Sequence, residues 1–156
     1  MSNHSQTLHA LRIAIDMAER ERDAARLSLQ GALSAQQVAQ AQLDQLQSYA
    51  QETEARWGPR ADARLQPQVL QHHYQFMGRL QHAAGLQTQV LQGHAARVRQ
   101  TQDQLLKAEQ RLLSLRKLLS HKEREQHQLQ VRREQKQTDE RAMLQHRLRT
   151  QATRAP

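Results

Sequence analysis

LHALRIAIDMAERERDAARLSLQGALSAQQVAQAQLDQLQSYAQETEARW, residues 8–57, repeats small or apolar residues at steps of three and four along its whole length. The series is Leu8, Leu11, Ile15, Ala18, Arg22, Ala25, Leu29, Ala32, Gln36, Ala39, Leu43, Leu46, Ala50 and Thr53. An α-helix returns such positions to one face, and strict alternation of three and four is the repeat of a coiled coil. The stretch therefore predicts one long helix, starting near residue 4 and ending at Trp57. Ser5 and Thr7 are candidate caps, although the Glu of a capping box is missing. Ala is small and Arg22 and Gln36 are polar, so the middle of the seam allows close approach but adds little burial energy.

Trp57-Gly58-Pro59 ends the helix. Gly tolerates a left-handed cap, and Pro cannot continue the hydrogen-bond ladder. A connector is expected over 58–66, with a short helical turn at 61–65, and Pro67 suits the first turn of a second helix. That helix is expected from 67 to about 145. Its seam reads Leu91, His94, Val98, Thr101, Leu105, Ala108, Leu112, Leu115 and Leu119. It thins at Lys122 and Gln126, returns at Leu129, and becomes Arg133, Lys136 and Glu140. Gly78, Gly85 and Gly93 each cost about 1 kcal/mol of helix propensity, and imply close helix contact or local bending. Beyond about residue 125 no apolar seam persists. The tail over 125–156 is expected to fray, or to become ordered on a partner.

One break between two heptad segments predicts an all-α fold: a long antiparallel two-helix coiled-coil hairpin, one elongated domain over 1–156. A parallel oligomer of single helices and a compact bundle are the alternatives. At 1.5 Å per residue the first arm would be roughly 80 Å long.

Composition supports the same class. The 156 residues are 37% hydrophobic, much of it Ala, and 3% aromatic, enough for a narrow seam but not a broad core. Many Gln residues and low hydrophobicity also suit disorder, but the heptad repeat opposes that reading. The net charge of +8 is unevenly placed. Residues 1–96 hold 8 Lys/Arg and 8 Asp/Glu, whereas 97–156 hold 15 and 7. A basic arm suits nucleic acid, an anionic membrane or an acidic protein surface. With 0 Cys there is no disulfide, thiolate metal site or Cys nucleophile. The opening residues lack the basic and apolar regions of a secretory signal, and no window is apolar enough for a membrane span.

Little points to catalysis. The chain has 9 His, but no HExxH and no His–carboxylate group at ligand spacing. His4 and His9 are too far apart to share a helix face. His72, His73, His82, His94, His121 and His127 read as polar histidines on a helix surface. No Gly-rich phosphate loop is present. Neither a catalytic residue, a metal nor a cofactor is expected. Arg12, Asp16, Glu19, Arg20, Arg22, Asp23 and Arg26 crowd one stretch. Of its i,i+4 pairs, Arg12–Asp16 is favourable, while Glu19–Asp23 and Arg22–Arg26 repel. Solvation of a surface and a recognition face are the two readings.

Some hydrophobes fall outside the seam. Ile13, Met17, Leu27 and Val38 either widen the core stripe or face a partner. Leu46, Tyr49 and Thr53 step along the first helix toward the break, and Phe76, Leu80 and Ala83 step away from it along the second. A hairpin brings these groups together, either as a plug closing the turn end or as a docking patch, since Tyr and Phe suit interface hot spots.

The pattern resembles the flagellar FliJ family of type III export proteins. LHALRIAIDMAERERDAARL resembles that family's opening helix. QLDQLQSYAQE and HHYQFMGRLQHAA resemble the two sides of its hairpin tip, and HKEREQHQLQVRREQKQTDERAMLQ, above all EQKQTDERA, its charged last helix. The resemblance covers nearly the whole chain. It implies a soluble cytoplasmic coiled coil similar to the central stalk of rotary ATPases, peripheral to the inner membrane at the export apparatus. Its partners would be the export ATPase hexamer, whose assembly it promotes, the cytoplasmic domain of the export gate protein, and export chaperones. Roles in flagellum biogenesis, motility and chemotaxis follow. By resemblance the gate-binding surface is Gln42, Leu46, Tyr49, Thr53, Phe76, Leu80, Ala83 and Gln87. Thr53 stands where the family often has Tyr, and Gln87 where His can occur. ATPase contact would fall on Leu11, Ile13, Arg20, Arg124, Arg132, Arg133 and Lys136.

Two other functions remain open at this point. One is the equivalent stalk of a virulence type III system. The other is a basic adaptor for nucleic acid, opposed by seven interspersed acidic residues in the arm and the lack of a stacking platform. Membrane binding is opposed by the lack of an aromatic-apolar face opposite the basic region.

Overall fold

The computed structural model describes residues 2–58 and 66–154. Two helices account for nearly all of them, α1 (Ser2–Trp57) and α2 (Pro67–Arg154). α1 starts ahead of the expected caps, so Ser5 and Thr7 lie inside it. Thr7 Oγ1 donates to the Asn3 carbonyl at 2.7 Å, bonding back into its own helix. At the other end, Gly58 N–H donates to the Glu54 carbonyl at 2.8 Å. Among the described residues no glycine has positive φ, so the left-handed cap expected at Gly58 does not form. Space is what demands glycine there, because a Cβ would lie 2.3 Å from the Glu54 carbonyl oxygen. The helical turn expected over 61–65 lies outside the described residues. α2 opens with the Gln66 carbonyl accepting from Val69 N–H at 3.0 Å and Leu70 N–H at 3.2 Å. Pro67, which has no N–H to satisfy, occupies its first position.

The chain divides into two compact units, residues 21–109 and the remainder. In the first, which contains the turn, cross-helix contacts run in opposite directions along the two helices. Arg26 meets Glu109, Gln42 meets Gln87, Tyr49 meets Phe76, and Glu54 meets His73. The pairing is therefore antiparallel. Ala32, Ala39 and Leu43 of α1 and Val98 of α2 are its buried apolar residues. Thr101 is fully buried in the same seam, its hydroxyl satisfied by the Arg97 and Val98 carbonyls at 3.0 and 2.9 Å.

The α2 seam also extends closer to the turn than the series beginning at Leu91. His73 is buried, and Phe76, Leu80, Ala83 and Gln87 are half-buried. Polar His73 and Gln87 conceal this continuation in the sequence. So does a phase change, because 83–87 and 87–91 are consecutive steps of four, a stutter that locally unwinds a coiled coil. At the stutter, Gln87 Nε2 donates to the Ala39 carbonyl and to Gln42 Oε1, both at 3.0 Å.

The second unit holds the described residues up to 20 and from 110 onward. Ile15, Ala18 and Leu112 form its buried cluster, with Leu115 and Leu119 packed against them. Arg12 pairs with Glu123 at 3.5 Å, and Arg116 with Glu19 at 3.0 Å, so this unit is antiparallel as well. From Gln126 to Arg154 every side chain of α2 is exposed. The helix nonetheless continues to Arg154, past the end near 145 expected from the sequence. Gln, Arg, Glu, Lys and Leu are good helix formers, and no Gly or Pro interrupts this stretch. Each unit is thus an antiparallel pair of helical segments, and the fold is all-α, of the helical-hairpin coiled-coil type. Among the described residues no helix is long and apolar enough to cross a membrane.

Candidate partner-binding surfaces

The residues expected at the gate-binding surface all lie in the turn-containing unit. Tyr49 and Phe76 meet edge to face, with ring centroids 5.9 Å apart and planes at 86°. Gln42 and Gln87 meet through the hydrogen bond described above. Gln42 and Tyr49 are exposed, whereas Leu46, Thr53, Phe76, Leu80, Ala83 and Gln87 are half-buried seam residues that offer only an edge. Thr53 Oγ1 donates to the Tyr49 carbonyl at 2.7 Å, so its hydroxyl is engaged within α1.

Beside this patch lies a cleft of about 390 Å³, walled by Tyr49, Thr53, Trp57, Val69, His73 and Phe76 with Glu52, Arg56 and His72 completing it. Trp57 is 50% exposed and His73 only 5%. Sequence reasoning missed both residues. Trp57 reads as a helix end, and His73 reads as a surface histidine. The burial of His73 corrects that reading: it takes a seam position, and its Nε2 lies 2.9 Å from Glu54 Oε2. The step of three from His73 to Phe76 was the available signal. His72, His82, His121 and His127 are exposed, as expected, and His94 is half-buried in the seam.

The residues expected to meet the ATPase lie in the other unit. Leu11 is half-buried in the seam and offers little surface. Ile13 is 48% exposed, and Arg20, Arg124, Arg132, Arg133 and Lys136 are exposed. Arg124 donates to Ser120 Oγ at 3.1 Å. Arg133 lines a second cleft of about 390 Å³ with His4, Ser5, Gln126, Leu129 and Gln130. The structure thus brings Arg133 to the start of α1, while Arg132 and Lys136 lie on the exposed tail. Ile13, Met17, Leu27 and Val38 are all exposed, so they do not widen the core.

The crowded charges of α1 find partners across the seam. Arg12–Glu123, Glu19–Arg116 and Arg26–Glu109 are spaced by seven on each helix, and the sign alternates from one pair to the next. In each pair both residues follow a seam position by four, which in an antiparallel coiled coil puts them at equivalent flanking sites. Arg22, beside them, pairs with Asp23 at 3.0 Å. The i,i+4 bookkeeping of the sequence missed these pairings, although the spacing of seven was legible. Among the described residues no group of three or more His, Asp or Glu could hold a metal.

The family description "Flagellar FliJ protein" matches residues 8–151. This chain belongs to the flagellar FliJ family. No curated protein and no solved structure matches it. The match starts at Leu8, the first buried seam residue, and ends within the exposed tail. As a FliJ-family protein, the chain is a component of the flagellar export apparatus, acting in flagellum biogenesis and protein export. Members of the family are non-catalytic parts of that apparatus. The two export systems left open by the sequence are thereby separated in favour of the flagellar one.

Proposed function

We propose that this FliJ-family chain serves the export apparatus as a non-catalytic coupling protein with two docking regions. The turn-containing unit engages the cytoplasmic domain of the export gate. The unit bearing both chain ends engages the export ATPase ring and promotes its assembly. Delivery of substrates and their chaperones is coordinated through these contacts, in the cytoplasm and at the inner membrane, where partners hold the protein. The observation that carries this reading is the Tyr49–Phe76 ring pair beside an open cleft, in a chain with only 3% aromatic residues. Aromatic side chains concentrated at one exposed place suit an interface anchor.

The basic tail supports the ATPase contact. Residues 126–154 carry 7 Lys/Arg against 3 Asp/Glu, and complementary potential would speed encounter with an acidic ring surface. Phe76→Ala combined with Leu80→Ala tests the gate contact. Helicity by circular dichroism and ATPase binding should be kept, while capture by the gate domain should fall about tenfold or more. Unchanged capture would sink the gate assignment.

A further inference from the structure

Leu27 and Val38 are among the most exposed large apolar side chains of the turn-containing unit, at 69% and 58%. They are not scattered. Ala24, Leu27, Gly31, Ser34, Val38 and Ala41 alternate steps of three and four, a second coiled-coil repeat on the same helix. It trails the buried series by two residues, about 200° around an α-helix, so it lies on the side of α1 turned away from α2. All six residues are exposed. The corresponding outer face of α2, which runs through Gly85, Gln89, Gly93, Ala96, Gln100 and Asp103, holds no large apolar residue. Of the two helices, α1 is the one with a second seam.

Gly31 sits at the centre of this face. It costs about 1 kcal/mol of helix propensity, and no atom lies within 4 Å of where its Cβ would sit. The hairpin itself makes no use of it, whereas an outside helix could approach closely there. Charge selects the occupant. Residues 27–43 contain no Asp, Glu, Lys, Arg or His. A charged helix such as the basic tail would lose water on this face and find no counter-charge. A second copy of the face brings no charge to its centre. Residue size points the same way. With two copies antiparallel about a two-fold axis between Ala32 and Leu33, Leu27 meets Val38 of the second copy, Gly31 meets Ser34, and Ala24 meets Ala41. Every layer sets large on large or small on small. We propose that two copies of this chain associate through the outer face of α1 in this register. The contact is isologous and closes at two copies. It uses none of the residues assigned to the gate or the ATPase, and it stands independently of those readings. Its like-charge contact flanks the seam at each end, where Asp23 faces Asp44 of the second copy.

Sedimentation equilibrium of the full chain over a wide concentration range tests this. A reversible monomer–dimer equilibrium is expected. Leu27→Glu and Val38→Glu should each weaken it about tenfold or more, with helicity by circular dichroism unchanged because both side chains are exposed. Added salt should strengthen the dimer by screening Asp23 from Asp44, whereas a dimer held through the basic tail would weaken. Cross-linking reads the register. The chain has 0 Cys, so an introduced Cys is its sole thiol. The Leu27→Cys and Val38→Cys chains, mixed and mildly oxidised, should join as a disulfide-linked pair. Neither should join with itself, since each lies about 16 Å along the helix from its own counterpart. A chain that stays monomeric overturns the proposal. So does a dimer that both Glu variants leave intact, a dimer that salt dissolves, or self-linking of the Leu27→Cys chain, which would mean parallel pairing.

Discussion

The interior glycines of α2 separate two uses of one residue type. Gly78, Gly85 and Gly93 have nothing within 4 Å of where a Cβ would sit, so they do not provide the close helix contact that their positions suggested. Each leaves only an entropic cost in a helix interior. Gly78→Ala, Gly85→Ala and Gly93→Ala should each raise stability by about 0.5–1 kcal/mol, read as a higher urea midpoint by circular dichroism. The sites are far enough apart for the gains to add. Gly58 is the opposite case. Gly58→Ala forces a Cβ into the Glu54 carbonyl and should destabilise by more than the others gain. The difference was not legible in the sequence, where all four are simply glycines in or beside helices. Gly58 alone stands before a proline, and that was the usable clue.

At the scale of the helices, the seam of α1 was almost fully legible. Every residue of its Leu8–Thr53 series is buried or half-buried, including polar Arg22 and Gln36. Periodicity survives substitution by polar residues when the phase never changes, and in α1 it never does. In α2 the stutter at 83–91 changes the phase, so the half nearer the turn does not show in the sequence as a continuation of the seam and reads there as either a closing plug or a docking patch. Four members of the candidate gate surface, Phe76, Leu80, Ala83 and Gln87, are therefore seam residues with one edge outward. The cross-helix ion pairs were legible in their spacing but needed the register of the two helices to be recognised. Glu19 and Arg116 have side chains 38% and 51% exposed, so water screens their attraction and the pair contributes at most about 1 kcal/mol. Glu19→Arg should lower the urea midpoint modestly. Adding Arg116→Glu should restore most of it, and high salt should shrink both effects. A double variant no better than the single would show that the pair contributes nothing to pairing.

At the scale of the molecule, the exposed tail is where the structure bears on the proposed ATPase contact. α2 remains helical from Gln126 to Arg154 with no seam to bury, and Val131, Met143, Leu144 and Leu148 are between 43% and 60% exposed. A helix with its apolar side chains in water draws no stability from packing, and helical propensity alone holds such a segment weakly. A partner surface would supply the missing burial. Truncation of residues 125–156 should leave the rest of the hairpin folded, since its buried residues all lie earlier. The same truncation should remove stimulation of the export ATPase, measured with hexamer formation by light scattering. Full stimulation by the truncated chain would move the ATPase contact to α1.

The three alternating ion pairs also act as an internal proofreader of alignment. Sliding α2 by one heptad in one direction sets Arg12 against Arg116 and Glu19 against Glu109. Sliding it the other way sets Glu19 against Glu123 and Arg26 against Arg116. Either slip, a displacement of about 10 Å along the helix, keeps hydrophobic positions facing one another and so passes the test that a seam can apply. Neither passes the test of charge. A narrow Ala-rich seam discriminates poorly between neighbouring alignments, and the flanking charges supply the discrimination it lacks, less by holding the right alignment than by spoiling the wrong ones.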